Sequence, residues 1–91
     1  MATMFPLGHL AITPGAMEAL SKTSISADSI IQRHVLGDWG DVTGSDQKAN
    51  DLAVEMGGRI LSAYFLPDRT KIWVTTEPDR SGTTILLPEE Q

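Results

Sequence analysis

The apolar residues of this chain change their spacing at Gly57-Gly58. Before the glycine pair they recur every three or four residues, which is the period of a helix. The clearest helical set is Ala49, Leu52, Ala53 and Met56. After the pair, apolar residues alternate along 60–66, which is typical of a strand. Helices followed by strands favour an α+β fold, because each layer buries its apolar face against the other.

The capping residues predict two to three helices, over 14–20, 26–36 and 45–56. Thr13-Pro14 begins the first, since a threonine can cap a helix and proline fits its first turn. Serines precede the second and third helices, and glycines end them. The third helix has the most regular apolar spacing and is the most firmly predicted element.

The strands are predicted at 8–12, 59–66, 71–75 and 83–87. Turn residues separate the last three strands at short intervals, so we expect a three-stranded antiparallel meander in the C-terminal third. The helices then pack on one face of this meander. The short N-terminal strand is expected to add to an edge of the sheet.

Size and composition limit the possible classes. Residues 1–91 are expected to form a single domain, because a chain this short encloses one core. The absence of cysteine excludes disulfides, thiolate zinc sites and cysteine nucleophiles. No stretch approaches the ~20 apolar residues of a membrane helix and no signal peptide is evident, so we expect a cytoplasmic protein with no membrane association.

The charge balance bears on the partner. Twelve acidic and seven basic residues give a net charge of -5, which opposes direct binding to nucleic acid. The same charge suits a protein partner with a basic surface, or mimicry of nucleic acid. Neither a cofactor nor a metal ion is expected.

The densest group of reactive side chains lies in the segment 33–41. His34 follows Arg33 and lies one helical turn before Asp38, which would favour a protonated imidazole for acid-base chemistry if the side chains meet. The alternative is a histidine and a carboxylate that stabilise the C-terminal end of a helix.

Three carboxylates follow in a glycine-containing connection, at Asp38, Asp41 and Asp46. Carboxylates are ligands for calcium or magnesium, but the spacing lacks the alternation and the final glutamate of an EF-hand. Turn formation through side-chain bonds to backbone amides is the favoured explanation of these carboxylates.

Two tryptophans are candidate contact residues. Trp39 lies between glycines and is either a plug that closes the helices onto the sheet or an exposed anchor for a partner. Trp73 lies within a strand, and if Ile72 and Val74 face the helices it occupies the opposite, open face.

The hairpin tip at 76–81 places Glu77, Asp79 and Arg80 together. Loops on a rigid meander are favoured places for binding residues, whereas local pairing of Arg80 with an acid would make the tip merely a polar turn.

Four blocks carry a resemblance: LGHLAITPGA at 7–16, RHVLGDWGD at 33–41, RILSAY at 59–64 and KIWVTTEPDR at 71–80. Together they resemble a family of short bacterial chromosomal, plasmid and mobile-element proteins with RHxxGDWGD and TExDR blocks, in which Asn50 also recurs. This chain departs from the pattern at Pro78 and in its Glu-Glu-Gln end. The resemblance implies interference with bacterial defence, of the restriction or CRISPR type.

Three functions remain open. The first is a small acidic non-catalytic domain that binds a protein, such as an inhibitor of a bacterial defence nucleoprotein complex. Its contact residues would be Asp38, Trp39, Asp41, Asp46, Trp73, Glu77 and Asp79. The second is a ribonuclease-like enzyme or toxin that uses His34, Arg33 and Arg80. The third is a self-associating regulatory protein, in which an uncovered sheet face with Trp73 forms a homodimer.

Overall fold

A computed structural model describes residues 3–91 of the chain. The elements follow one another as β1 (His9–Ile12), α1 (Pro14–Thr23), α2 (Ala27–Val35), α3 (Gly44–Met56), β2 (Ile60–Phe65), β3 (Lys71–Thr76), β4 (Gly82–Leu86) and a final 3-10 turn (Pro88–Glu90). The predicted α+β fold is confirmed. No helix within the described residues is long and apolar enough to cross a membrane.

The sheet has four strands in the order β1-β4-β3-β2. The antiparallel pairs β2–β3 and β3–β4 form the predicted meander. Strand β1 joins the edge of the meander at β4, and the sheet has four strands and is mixed, not a purely antiparallel three-stranded meander, because this pairing is parallel. The hydrogen bonds between β1 and β4 join residues more than 70 positions apart, so no local sequence pattern predicts them.

Side-chain caps start each helix where the chain leaves an extended conformation. Thr13 and Ser26 accept hydrogen bonds from backbone N–H groups in the first turns of α1 and α2, as predicted. The third helix begins earlier than predicted, because Thr43 and not Ser45 caps it. The first helix also continues past Leu20 to Thr23, and Ser24 ends it in a left-handed conformation.

The apolar core has two parts. The larger lies between α1, α2 and one face of the sheet, and its members include Leu20, Ile30, Ile72, Val74 and Ile85. The smaller consists of Phe5, Trp39, Ala53 and Ile60, with Leu7, Val42 and Val54 beside it. This second cluster joins α3 and the 38–43 loop to the edge of the sheet at β2.

Candidate docking surface on the third helix

The third helix is attached to strand β2 by one side-chain amide. Asn50 Nδ2 donates to the Leu61 carbonyl at 2.7 Å, and Leu61 N–H donates to Asn50 Oδ1 at 3.1 Å. Asn50 is only 4% exposed. The amide thus forms both hydrogen bonds that a further strand would form at this position, and it fixes the rotation of α3 about its own axis.

The next residues of the β2 edge are covered by the 39–41 loop. Ala63 N–H donates to the Trp39 carbonyl at 3.0 Å, and Asp41 N–H donates to the Ala63 carbonyl at 2.6 Å. Gly40 lies between them with φ +75°, where a Cβ atom would collide with the Ala63 carbonyl and the Tyr64 ring. A glycine is therefore required for the loop to approach the strand.

With α3 held in this way, most of its apolar stripe faces solvent. An apolar stripe of helical period ordinarily faces a core. Here only Ala53 of the set is buried, whereas Leu52 is 56% exposed and Met56 is 76% exposed. Ala49 is also exposed and lies one turn before them on the same side. The helix is confirmed, and its outer side carries an unpartnered apolar row.

The β3–β4 turn is held against the C-terminal end of α3 by Arg80. Its guanidinium donates to the Ala53 carbonyl at 2.7 Å and to the Gly58 carbonyl at 2.6 Å. It also donates to the Glu77 carbonyl within the turn at 3.1 Å. The Ala53 carbonyl also accepts from the Gly57 N–H at 2.9 Å, so Arg80 is a second donor there and a cation at the carboxyl end of the helix dipole. Glu77 and Asp79 are thereby brought to the same end of the molecule as Met56.

Acidic side chains therefore surround the exposed row. Within residues 3–91 the ion pairs are Glu18–Lys22, Arg33–Asp38 and Asp41–Lys71. The exposed carboxylates of α3 and of the adjoining turn belong to none of these pairs; they are Asp46, Asp51, Glu55, Glu77 and Asp79. Lys48 is the cation on the same helix. We call the apolar row and these five carboxylates the α3 surface.

Two of the predicted acidic contact residues lie outside this surface and are already paired. Asp38 accepts from Arg33 Nε at 2.7 Å, and this hydrogen bond lowers the pKa of the Asp38 carboxyl. Asp41 lies 3.5 Å from Lys71 Nζ. Of the predicted acids, Asp46 lies in the first turn of α3, Glu77 and Asp79 lie on the turn that Arg80 holds at its C-terminal end, and Asp38 and Asp41 lie in ion pairs before the helix.

His34 does not meet Asp38, so the condition on which a protonated imidazole was predicted is not fulfilled. The ring is 0% exposed, and burial lowers its pKa from 6.5 to about 4. Its Nδ1 lies 2.5 Å from the Ser62 hydroxyl, and its Nε2 lies 2.9 Å from the Thr76 hydroxyl. Asp38 pairs with Arg33 instead, because Arg33 lies on the solvent side of α2. His34 lies one turn after Ile30, on the side of α2 that faces the core.

The hydrogen bonds around His34 have a defined direction. The Thr83 hydroxyl donates to the Leu7 carbonyl at 2.8 Å, so it accepts from Thr76. Thr76 therefore accepts from His34 Nε2, which must carry the proton, and Nδ1 accepts from Ser62. This series of hydrogen bonds links α2 to the three strands of the meander. Both ring nitrogens of His34 are used in it, so neither is available to a substrate.

The two tryptophans differ in exposure. Trp39 is 5% exposed and donates from Nε1 to Asp51 at 3.0 Å, so its interpretation as a plug is confirmed. Trp73 is partly buried on the sheet face opposite Ile72 and Val74, both of which are fully buried. The predicted placement of Trp73 opposite Ile72 and Val74 is confirmed, but neighbours on its own face, Ala63 and Leu86, are buried, and Trp73 does not lie on the α3 surface.

Comparison of the chain with protein-family models, curated proteins and solved structures finds no match. The resemblance to plasmid and mobile-element proteins therefore stays a prediction.

The residues proposed for catalysis lie away from the groove that the structure shows beside α1. A groove of about 220 Å³ lies between α1 and the β2–β3 turn, and its lining includes Glu18, Lys22 and Asp68. Neither His34 nor either of the two arginines contributes to it. Within the described residues, no three histidine, aspartate or glutamate side chains are arranged to hold a metal ion.

Sequence reasoning missed five members of the α3 surface: Ala49, Leu52, Met56, Asp51 and Glu55. The periodic spacing of Leu52 and Met56 was visible, but it is the same in a core-facing helix. The available signal was Asn50, a polar residue beside Ala53 on the side of the helix that proves to be buried. A polar side chain there indicates that α3 packs against backbone at a sheet edge.

Proposed function

We propose that this protein is a non-catalytic binding domain that docks the α3 surface onto a basic surface of another protein. The observation that carries the proposal is the exposure of Leu52 and Met56 on a helix whose orientation is fixed by buried hydrogen bonds. Exposed apolar residues in a row, with polar residues around them, are typical of a protein interface.

The geometry favours a helix that inserts its apolar row into a groove. Ala49, Leu52 and Met56 recur at intervals of three and four residues, which is the spacing of anchor residues in helix-in-groove complexes. Methionine adapts to grooves of irregular shape, because its side chain is unbranched and flexible. Leu52 and Met56 are therefore the residues expected to contribute most to the binding free energy.

The charge of the α3 surface predicts which residues surround the apolar groove of the partner. Exposed carboxylates outside the ion pairs can meet lysine and arginine side chains and raise the association rate with a basic protein. Two of them already accept one hydrogen bond within the described residues, Asp51 from Trp39 Nε1 and Asp79 from the Ser81 N–H. Asp51 and Glu55 lie beside the apolar row, and Glu77 and Asp79 adjoin its C-terminal end. The partner should carry basic residues around an apolar groove.

A nucleic-acid-binding protein of bacterial defence, of the CRISPR or restriction type, would offer a basic face of this kind. The resemblance to mobile-element proteins is what favours that partner class. Inhibition would then follow from occupation of the nucleic-acid-binding face by an acidic protein.

The ribonuclease alternative is less well supported by the geometry. His34 has no exposed atom, Arg33 is paired with Asp38, and Arg80 is committed to backbone carbonyls. General acid-base catalysis requires side chains within hydrogen-bond reach of a substrate.

The test is affinity capture from a bacterial lysate with four immobilised forms of the chain. They are the wild type, Leu52→Asp, a Glu55→Lys/Glu77→Lys variant, and Met17→Asp as the control. Met17 on α1 is 57% exposed, nearly the same as Leu52, so its substitution matches the change in polarity at another site.

We expect a basic protein that is retained by the wild type and the control and lost by the two α3-surface variants, each shown to be folded by its unfolding curve. Equal retention of the same proteins by all four forms would overturn the proposal. Cleavage of RNA by the purified wild type that is abolished in His34→Gln would support the enzyme instead.

A further inference from the structure

The two edges of the sheet differ in how they are closed. The β2 edge is covered by Asn50 and by the 39–41 loop, which together occupy the backbone groups of Leu61 and Ala63. Within residues 3–91, no hydrogen bond covers the β1 edge in this way. His9 N–H donates to Ser81 and Thr13 N–H donates to Ile85, so the odd-numbered residues of this segment bond to β4. The N–H and C=O groups of Leu10 and Ile12 therefore point away from the sheet.

Strand β1 also lacks the features that usually prevent an edge from pairing. Its sequence His-Leu-Ala-Ile contains no lysine, no other full charge and no proline. Its Leu10 side chain is 56% exposed. Exposed edges of monomeric proteins are commonly protected by charges, prolines or bulges, because free backbone groups are a template for another strand.

We propose that β1 is a self-association edge, at which a second copy of the chain adds its own β1 in antiparallel orientation. One register uses all the outward N–H and C=O groups of Leu10 and Ile12. In this register Leu10 lies opposite Ile12 of the second copy, and by the twofold symmetry Ile12 lies opposite Leu10 of the second copy. Each of these two pairs exchanges two hydrogen bonds. The two four-stranded sheets then form one continuous sheet of eight strands.

The side chains fit this register. Leu10 and Ile12 lie on the same face of the sheet, so the exposed Leu10 side chain is covered by an isoleucine of the second copy. Ala11 lies opposite its own counterpart at the axis, where small side chains allow the strands to approach. A segment that pairs with itself in this way is self-complementary, as a twofold interface requires.

The distribution of charge favours dimerisation through the β1 edge of the sheet over dimerisation through the β2 edge. Each chain carries a net charge of -5, so two copies repel each other wherever their acidic surfaces meet. The α3 surface adjoins β2, which is separated from β1 by two strands. Pairing through β1 places the two α3 surfaces at opposite ends of the dimer, free to bind a partner.

The dimer should be reversible. A pairing through four-residue strands buries less area than the ~1,600 Å² of a standard stable interface, so we expect a dissociation constant on the order of 10–100 μM. Weight-average mass from sedimentation should rise from the 9.8 kDa of one chain towards twice that value between about 5 and about 500 μM protein.

Two variants locate the contact. Leu10→Lys places a charge at the centre of the proposed interface and should weaken dimerisation at least tenfold. Phe65→Lys is the control, since Phe65 is 55% exposed at the far strand, on the open face that also carries Trp73. It should dimerise as the wild type does.

Amide hydrogen exchange in the unsubstituted protein gives a second readout. The amides of Leu10 and Ile12 should exchange slowly at high protein concentration and quickly at low concentration, while that of Ala11 stays protected at both. A wild type that remains monomeric throughout would overturn the proposal. So would a dimer that survives Leu10→Lys or is lost in Phe65→Lys, because either result would place the contact elsewhere.

Discussion

The side-chain amide of Asn50 occupies both backbone hydrogen-bonding groups of Leu61, and so takes the place of a strand at the edge of the sheet. With the packing of Ala53 in the second core cluster, this contact sets which side of α3 is buried. Because Asn50 faces β2, the row that contains Leu52 and Met56 faces solvent. The proposed docking surface is thus a consequence of how a polar residue closes a sheet edge.

Removal of this amide should destabilise the protein. Asn50→Ala leaves the Leu61 N–H and C=O without partners in a partly buried site, which we expect to lower the free energy of unfolding by about 2–4 kcal/mol. Asn50→Asp keeps the acceptor but loses the donor, and should also be destabilising. Urea unfolding measures both, with the exposed Gln47→Ala as the control. A loss as small as that of the control would show that the amide does not hold the helix.

The loop at the same edge should be intolerant of a side chain at Gly40. Gly40→Ala requires an alanine at φ +75° and places its Cβ against the Ala63 carbonyl, so we expect a loss of at least about 3 kcal/mol. Gly44→Ala is the matched change, because nothing lies within 4 Å of a Cβ atom there and the residue is helical. It should be neutral or slightly stabilising in the same thermal unfolding experiment. Similar melting temperatures for the two variants would refute this reading of the loop.

Stability should fall in acid because of His34. Its pKa is lowered from 6.5 in the unfolded chain to about 4 in the fold, so between these values the unfolded state binds the extra proton. The folded state is therefore fully favoured by this group above pH 6.5, and the contribution is lost as the pH falls towards 4. The shift corresponds to about 3 kcal/mol.

The measurement is the free energy of unfolding against pH for the wild type and for His34→Gln, which lacks the titrating group. The difference between the two curves should decrease by about 3 kcal/mol from pH 7 to pH 4. Parallel curves would contradict the neutral, buried imidazole. Nitrogen NMR should also show His34 as the Nε2–H tautomer at pH 6.

Arg80 should act on stability and not on chemistry. Arg80→Ala removes donors to the Ala53 and Gly58 carbonyls and should lower the free energy of unfolding by about 1–3 kcal/mol. Arg80→Lys should recover little, because an ammonium group lacks the planar fork that reaches several carbonyls. Full stability of both variants in urea unfolding would show that the turn is not held to α3 by this residue.

The order of the elements could be predicted from the sequence, because caps, glycines and apolar periods are local signals. Ser26 and the glycine pair at 57–58 mark helix ends that the structure confirms. Pairing of β1 with β4 could not be predicted in orientation, since it depends on contacts between the two ends of the chain.

The candidate site was harder to predict than the fold. His34 was linked to Asp38 by spacing, but its position one turn after Ile30 on an apolar stripe already pointed into the core. The orientation of α3 was hidden because Ala49, Leu52, Ala53 and Met56 have the spacing of a core-facing stripe. Packing against a sheet edge, and not amphipathicity, decided which of them is buried.

The central claim is that Leu52 touches a partner protein, and site-specific photocrosslinking tests it most directly. A photoreactive phenylalanine analogue is placed at position 52 or, as the matched control, at position 17, and the chain is irradiated in living bacteria. We predict one abundant crosslinked product at position 52, which contains a basic protein and disappears in the Glu55→Lys/Glu77→Lys background. Crosslinks of equal yield at both positions, or none at position 52, would contradict a docking function for the α3 surface.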